Sequence, residues 1–380
     1  MRRLFVVVAL AGCPGNTPKP QPPPDPTIGG DTEAQRRERL VAELQDEILG
    51  SYERDELPEV ETTMIPRQVG PARINVGPGD VLFGDDVRRM AWSRWPLLLA
   101  PGTPTTVRSK RLEIHVSNDH QVSAAWMSDE ISWRITLCNR TAVIPLRMTG
   151  LYAHDGDRWV QVFEHMSFGR IPEPTGQLRG APLASPAEAC PAPPAPAEHC
   201  PIFDHPKHEI SDELTRLIQN LLSAQTEKIK ASVSSSRETE DPTQPSEAVI
   251  IAPDPEGEWH GQDFEAVRII DGKVKFEERR VGVIGTSQKN ATVAYWIGNF
   301  VADLRQPEGK ARLRGTFVFE KRKNKWTIVQ AHISQPIDDV DLALRIYGTA
   351  LISEKPVQIT CDDGRRSIVG GKGTTPAAAQ

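Results

Sequence analysis

Two segments carry apolar residues at helical spacing. Leu40, Val41, Leu44 and Ile48 follow Thr32-x-x-Gln35, a pair arranged as a capping box, so a helix starts near residue 32. Further on, Leu214, Leu217, Ile218, Leu221 and Leu222 fall at i, i+3, i+4, i+7 and i+8, a single stripe with Ser211 as candidate N-cap. Each helical segment leads, through an irregular stretch with a short helix, into three or four strands. Leu146 to Tyr152 and Leu313 to Phe319 read as strands, and His154-Asp155-Gly156-Asp157 and Arg322-Lys323-Asn324 have hairpin-turn composition. The closing strands are Trp159 to Ser167 and Trp326 to Ser334.

These closing strands repeat a pattern. Trp159, His165 and Ser167 match Trp326, His332 and Ser334, a Trp-x5-His-x-Ser written twice at an offset of 167 residues. Leu146/Leu313, Arg147/Arg314 and Thr149/Thr316 keep that offset. Earlier, Ala124-Ala125-Trp126 matches Ala294-Tyr295-Trp296 at an offset of 170, and Phe83-Gly84-Asp85-Asp86 corresponds to His260-Gly261-Gln262-Asp263. The chain therefore contains one α+β unit twice, each a curved antiparallel sheet covered by helices on one face.

Strict strand alternation puts Trp159, Gln161, Phe163, His165 and Ser167 on one face. Which residue lies opposite His165 depends on the turn. A two-residue Asp155-Gly156 turn pairs it with Leu146, and a three-residue loop pairs it with Arg147. The sequence leaves both registers open. The plainest role for the Trp is core packing, with His and Ser satisfying polar groups near the strand end.

A leading helix, a G-x-D element before a short helix, an A-x-W strand and a closing W-x5-H-x-S strand resemble the SnoaL-like branch of the nuclear-transport-factor-2-like superfamily. The last strand is also similar to that of the calcium/calmodulin-dependent kinase association domain. The resemblance covers roughly residues 33–170 and 207–337. It implies two tandem cone-shaped domains, each with a pocket at its open end, and pairing of the two through their sheets as an internal pseudo-dimer. Family members include ketosteroid isomerase, polyketide cyclases, epoxide hydrolases and non-catalytic binding modules, so the fold alone implies no reaction. The candidate pocket residues are Trp126, Arg147, Trp159, His165, Trp296, Arg314, Trp326 and His332. Family enzymes work through pocket carboxylates, with a Tyr, His or Arg partner. Asp86/Asp263 are repeated carboxylates, whose plainer role is at a helix N-terminus, and Asp129 has Asn299 as its counterpart. No Asp-Arg-Asp or Tyr-Asp set aligns, which leaves no catalytic residue to name.

Composition adds an address. The 380 residues are too many for one core, and the net charge of −6 argues against a nucleic-acid partner. The chain has thirty-three prolines, and the clusters of them at residues 14–26 and 172–206 mark extended connectors. Met1-Arg2-Arg3, the apolar run Leu4 to Leu10 and then Leu10-Ala11-Gly12-Cys13 resemble a lipoprotein signal with Cys13 as the lipidated residue. The run is too short to span a bilayer. The residue at 14 is Pro rather than Asp, which by analogy with the common sorting rule favours the outer membrane. The expected layout is signal 1–12, tether 13–31, first domain 32–170, linker 171–206, second domain 207–350 and a C-terminal extension and disordered tail 351–380.

Cys138, Cys190, Cys200 and Cys361 remain after Cys13. An even count in an exported chain permits two disulfides in three connectivities, of which Cys190–Cys200 closes the shortest loop. His199, Cys200, Asp204, His205 and His208 have metal-binding types but no closed four-ligand spacing, so no metal is called for, nor any cofactor. The sequence thus predicts a lipid-anchored, non-catalytic envelope protein that binds a small apolar ligand or a protein. The alternative is a cyclase-, isomerase- or hydrolase-like enzyme with one live pocket.

Overall fold

The computed structural model describes residues 32–55, 69–76, 81–83, 105–137, 140–169, 180–182, 202–204, 206–222, 226–234, 248–253, 257–260, 274–303, 309–336, 357–360 and 366–369. Cys13, Asp86, Cys138, Cys190, His199, Cys200, His205, Asp263 and Cys361 lie outside these residues, as do the signal and tether. The two short helices expected before the strands fall in segments that also lie outside them.

Helix α1 (Glu33–Asp55) begins at the expected capping box. The Thr32 amide donates to Gln35 Oε1 at 2.8 Å, and the Gln35 amide donates to Thr32 Oγ1 at 3.3 Å. Leu40, Leu44 and Ile48 are buried beneath it. The strands that follow are β1 (Val69–Val76), β2 (Val81–Phe83), β3 (Thr105–Ser109), β4 (Glu113–Val116), β5 (Ala124–Leu137), β6 (Arg140–His154) and β7 (Trp159–Phe168). They form one sheet in the order β2-β1-β7-β6-β5-β3, with β4 also on β5.

After β8 (Gly180–Pro182) and β9 (Ile202–Asp204) come helices α2 (His208–Leu221) and α3 (Thr226–Ser232). Then follow β10 (Val249–Ile251), β11 (Glu258–His260), β12 (Lys275–Ile284), β13 (Val293–Asp303), β14 (Lys310–Arg322) and β15 (Lys325–Ser334). The second sheet runs β11-β10-β15-β14-β13-β12-β9, an order that echoes the first. In each sheet a short strand pairs parallel to the closing strand, β1 on β7 and β10 on β15.

Several expectations change. Helix α2 starts earlier than expected: its N-cap is Lys207, so Ser211 lies inside the first turn. The stripe itself holds, with Leu214, Leu217, Ile218, Leu221 and Leu222 all buried. The linker is not wholly a connector, because β9 adds an edge to the second sheet. Strand β8 joins β16 (Val357–Thr360) and β17 (Arg366–Val369) in a small sheet of its own, so the C-terminal extension is partly ordered as strands.

Neither expected register of the first hairpin forms. His154 pairs with Trp159 across Asp155–Arg158, and Thr149 lies opposite His165. Two features set this register, the four-residue loop Asp155–Arg158 and a β-bulge beyond it. The ladder goes from Tyr152↔Gln161 to Leu151↔Phe163, leaving Val162 as an extra residue. The second hairpin does the same at Val329, between Phe319↔Ile328 and Val318↔Gln330, and so sets Thr316 opposite His332. It closes on Lys323-Asn324, both at positive φ (46° and 63°), as a tight hairpin turn requires. The bulge divides the strand, so the expected single face is wrong. Trp159 and Gln161 face the helix, whereas Phe163, His165 and Ser167 face away.

A second correction follows. Trp126 pairs with Leu151, and Tyr295 pairs with Val318, the residue 167 places after Leu151. The structural equivalent of Trp126 is therefore Tyr295, one residue before Trp296. Trp126 sits with Leu151, Phe163, Tyr295, Ile297, Val318 and both bulge valines in an apolar cluster shared by the two sheets. Trp296 instead packs with Phe317, Phe319 and Trp326 under α2.

Candidate functional site

The helix-facing side of the first sheet is polar where it meets α1. Asp129 of β5 is buried, at 3% exposure. Its carboxylate accepts from Tyr52 Oη at 3.2 Å, from Ser109 Oγ at 3.0 Å and from the Arg111 amide at 3.2 Å. Burial raises its pKa above the ordinary carboxylate value, against the lowering effect of those donors. Tyr52 is pushed well above the usual phenol range by burial and by the adjacent Asp129 charge. On the same side, Gln161 Nε2 donates to Tyr152 Oη at 3.3 Å and to Glu164 Oε2 at 3.1 Å. The Tyr152 ring lies over Gly150, where an added Cβ would stand 3.1 Å from it. Glu164 is half-buried, the most accessible carboxylate of the group.

Among the described residues, the equivalent side of the second sheet holds no such group. Register equates Asp129 with Gly298, because Met148↔Asp129 corresponds to Gly315↔Gly298. The Trp296 ring occupies that place: a Cβ on Gly298 would come within 2.4 Å of it. Tyr152, Gln161 and Glu164 become Phe319, Ile328 and Ala331, all fully buried in the second core. The polar set of the first half is thus replaced by a solid apolar core. An offset of 169 residues rather than 170 would have exposed this contrast in the sequence, since it aligns Asp129 with Gly298 instead of Asn299.

The eight sequence-predicted pocket residues do not gather in one cavity. Trp159 sits under α1, its indole N–H donating to Leu40 O at 3.1 Å. Trp296 and Trp326 belong to the second core. Trp126, Arg147, His165, Arg314 and His332 lie on the opposite strand faces, toward the other sheet. There the two imidazoles stack, with centroids 3.7 Å apart and planes 12° from parallel. His165 meets Thr316 Oγ1 through Nδ1 (2.9 Å) and Ser334 Oγ through Nε2 (2.8 Å). His332 meets Thr149 Oγ1 (3.0 Å) and Ser167 Oγ (2.8 Å) in the same way. The arrangement is reciprocal: each ring is held by the Thr and Ser of the other sheet.

Both histidines are held well below the ordinary imidazole value. Burial is the main cause for each; Arg314 and Arg147 add to it at His165, and the neighbouring ring and Arg147 at His332. A neutral imidazole has one donor and one acceptor nitrogen, and a hydroxyl can serve either. Hydroxyl partners therefore satisfy both rings without a charge. Arg147 adds bonds to Ala252 O at 3.0 Å, Gly257 O at 3.2 Å and Ser167 Oγ at 3.2 Å. Among the described residues no group of three His, Cys, Asp or Glu side chains could hold a metal. His208, from the His/Cys cluster, bonds only Asp212 at 2.9 Å on the surface of α2 among its described contacts.

Residues 243–338 match the family model of the SnoaL-like domain, so the chain carries one such domain there, of nuclear-transport-factor-2-like fold. No curated protein matches the chain. Solved structures similar to it include a nuclear transport factor 2 (NTF2-like) superfamily protein from Salmonella enterica serovar Typhimurium, 18% identical over 35% of this chain and 92% of its own, with a TM-score of 0.26. A hexachlorocyclohexane dehydrochlorinase of LinA type 3 from Novosphingobium barchaimii is 10% identical over 37% and 91%, with a TM-score of 0.29. The association domain of C. elegans CaMKII is 14% identical over 36% and 99%, with a TM-score of 0.27.

Proposed function

We propose that this chain is a small-ligand-binding protein of two SnoaL-like domains joined as an internal pseudo-dimer. In this reading the first domain carries the ligand site, and the second is packed shut as its fixed partner. The observation that carries the reading is the contrast between Asp129, Tyr152, Gln161 and Glu164 in one half and Gly298, Phe319, Ile328 and Ala331 at the same strand positions in the other. A scaffold needs no buried carboxylate, yet the first half keeps Asp129 buried and holds it with three donors. The site suits a ligand with an apolar body and a hydroxyl or amide that can reach Glu164 and Gln161.

Binding is favoured over catalysis because three protein donors already occupy Asp129, which weakens it as a general base. The raised pKa of Asp129 supports the second reading, an isomerase-like acid–base enzyme. The N-terminal Leu10-Ala11-Gly12-Cys13 and the proline-rich stretch after it support attachment to the outer membrane through a lipid on Cys13.

Fluorescence titration with 2-naphthol, an apolar aromatic hydroxyl, tests the site. Glu164→Gln and Gln161→Ala should each weaken binding about tenfold, the worth of one polar contact of roughly 1.4 kcal/mol. Saturable binding that neither change affects would reject the assigned site. Conversion of a 3-keto-Δ5 steroid by the wild type, abolished in Asp129→Asn, would favour the enzyme. For the anchor, Cys13→Ser should take up no labelled palmitate and leave the membrane fraction; continued cosedimentation would reject it.

A further inference from the structure

The stacked His165–His332 pair has no role in a ligand site on the helix-facing side, yet it occupies the centre of the contact between the sheets. We infer that the pair is an acid-sensitive latch: protonation of the two rings releases one sheet from the other while each half stays folded.

The geometry carries this. Two imidazoles 3.7 Å apart and nearly parallel cannot both hold a positive charge at low cost in a buried site. Protonating either also turns its acceptor nitrogen into a donor, so the hydroxyl partner must reverse its hydrogen bond.

The charged groups on the faces around the pair do not offset a new cation. Arg147 of β6 and Arg314 of β14 both oppose it. Glu130 of β5 lies directly across from Arg147. Glu277 of β12 bonds Arg312. Glu320, farther along β14, is held by Arg322 and the Asn118 amide. Glu164 lies on the other face of β7. Both rings are fully buried and fully hydrogen-bonded when neutral, so the closed state excludes protons that the open state accepts.

The sign follows from linkage. The closed-state pKa values lie below the ordinary value, so opening takes up protons once the pH falls below about 6.5. Two sites titrating together raise the open-to-closed ratio by up to about a hundredfold per pH unit. Other links between the sheets include the Arg111–Glu258 pair and Thr292 Oγ1 donating to Asp119 Oδ2, a carboxylate whose pKa its donors hold below the ordinary value. The proposal stands independently of what the first half binds.

The test uses thiol labelling in the full chain. Val318→Cys puts a reporter in the buried contact between the sheets, and Ala331→Cys puts a control in the second core. N-ethylmaleimide labelling at each position is read by peptide mass spectrometry and normalised to the unfolded chain at the same pH. From pH 7.5 to 5, position 318 should gain protection loss of at least tenfold while position 331 stays constant. The His165→Gln/His332→Gln double variant should abolish the pH dependence at 318. A flat response at 318, or parallel rises at 318 and 331, overturns the latch, and this comparison needs no histidine variant. An equal rise in a folded double variant overturns it as well.

Discussion

At positions 165 and 332 the side chain must be flat, able to stack, and able to bond a hydroxyl at each edge while uncharged. Ser334 supplies one of those hydroxyls to His165 and is itself buried. Ser334→Ala should destabilise the protein by about 1–2 kcal/mol, because a buried ring nitrogen loses its partner. A shift in urea midpoint measures this; an unchanged midpoint would mean that water replaces the hydroxyl. Asp119 poses the opposite electrostatic problem. Burial alone would raise its pKa, but the hydroxyls of Ser117, Ser123 and Thr292 and the Ser123 amide lower it below the ordinary value. A depressed carboxylate contributes stability above its unfolded value of about 3.9, and that stability is lost as the pH falls through the folded value. Wild-type urea midpoints should therefore fall more steeply than those of Asp119→Asn between about pH 5 and 3.

At the scale of the element, two bulges decide the outcome. Val162 and Val329 each stand three residues after a Trp and are 1% exposed, filling the contact between the sheets. Strict alternation would have put Trp and His on one face. The extra residue turns the Trp toward its helix and the His toward the other sheet. Nothing in a Trp-x5-His-x-Ser string announces a bulge, because bulged and regular strands share the same composition. Together with a four-residue turn in the first hairpin, that is why neither register read there from the sequence put Thr149 opposite His165. Strand β13 carries a similar local demand at Gly298. A Cβ there would meet Trp296 at 2.4 Å and Glu277 O at 2.7 Å, the latter backbone that cannot swing aside. Gly298→Ala should cost about 2 kcal/mol or more through overpacking. Thermal denaturation measures it, and a loss below about 0.5 kcal/mol would show that the Trp296 ring can move out of the way.

For the whole molecule, the contact between sheets is reciprocal, so either half presents what its partner needs. The second half offers His332, Thr316 and Ser334 together with Tyr295, Ile297, Val318 and Val329. Expressed alone, residues 202–380 should form a homodimer in which each His332 meets the Thr316 and Ser334 of the other copy. Light scattering after size exclusion reads this directly. A monodisperse monomer would show that the contact depends on groups unique to the first half, such as the Arg147 bonds to Ala252 O and Gly257 O.

The sequence by itself determined the two long helices, the closing hairpins and the existence of a repeat, because capping chemistry and apolar spacing are local and survive without knowledge of partners. It also held the contrast between the two halves, but in a form that a one-residue misalignment of β5 with β13 concealed. Only the tertiary structure decided which face each aromatic and each histidine occupies. A single bulge inverts a strand's faces, and cross-strand register and sheet-to-sheet packing choose where that bulge falls. The pairing of His165 with Thr316 and Ser334, more than 150 residues away, follows from that packing and from nothing written near either residue.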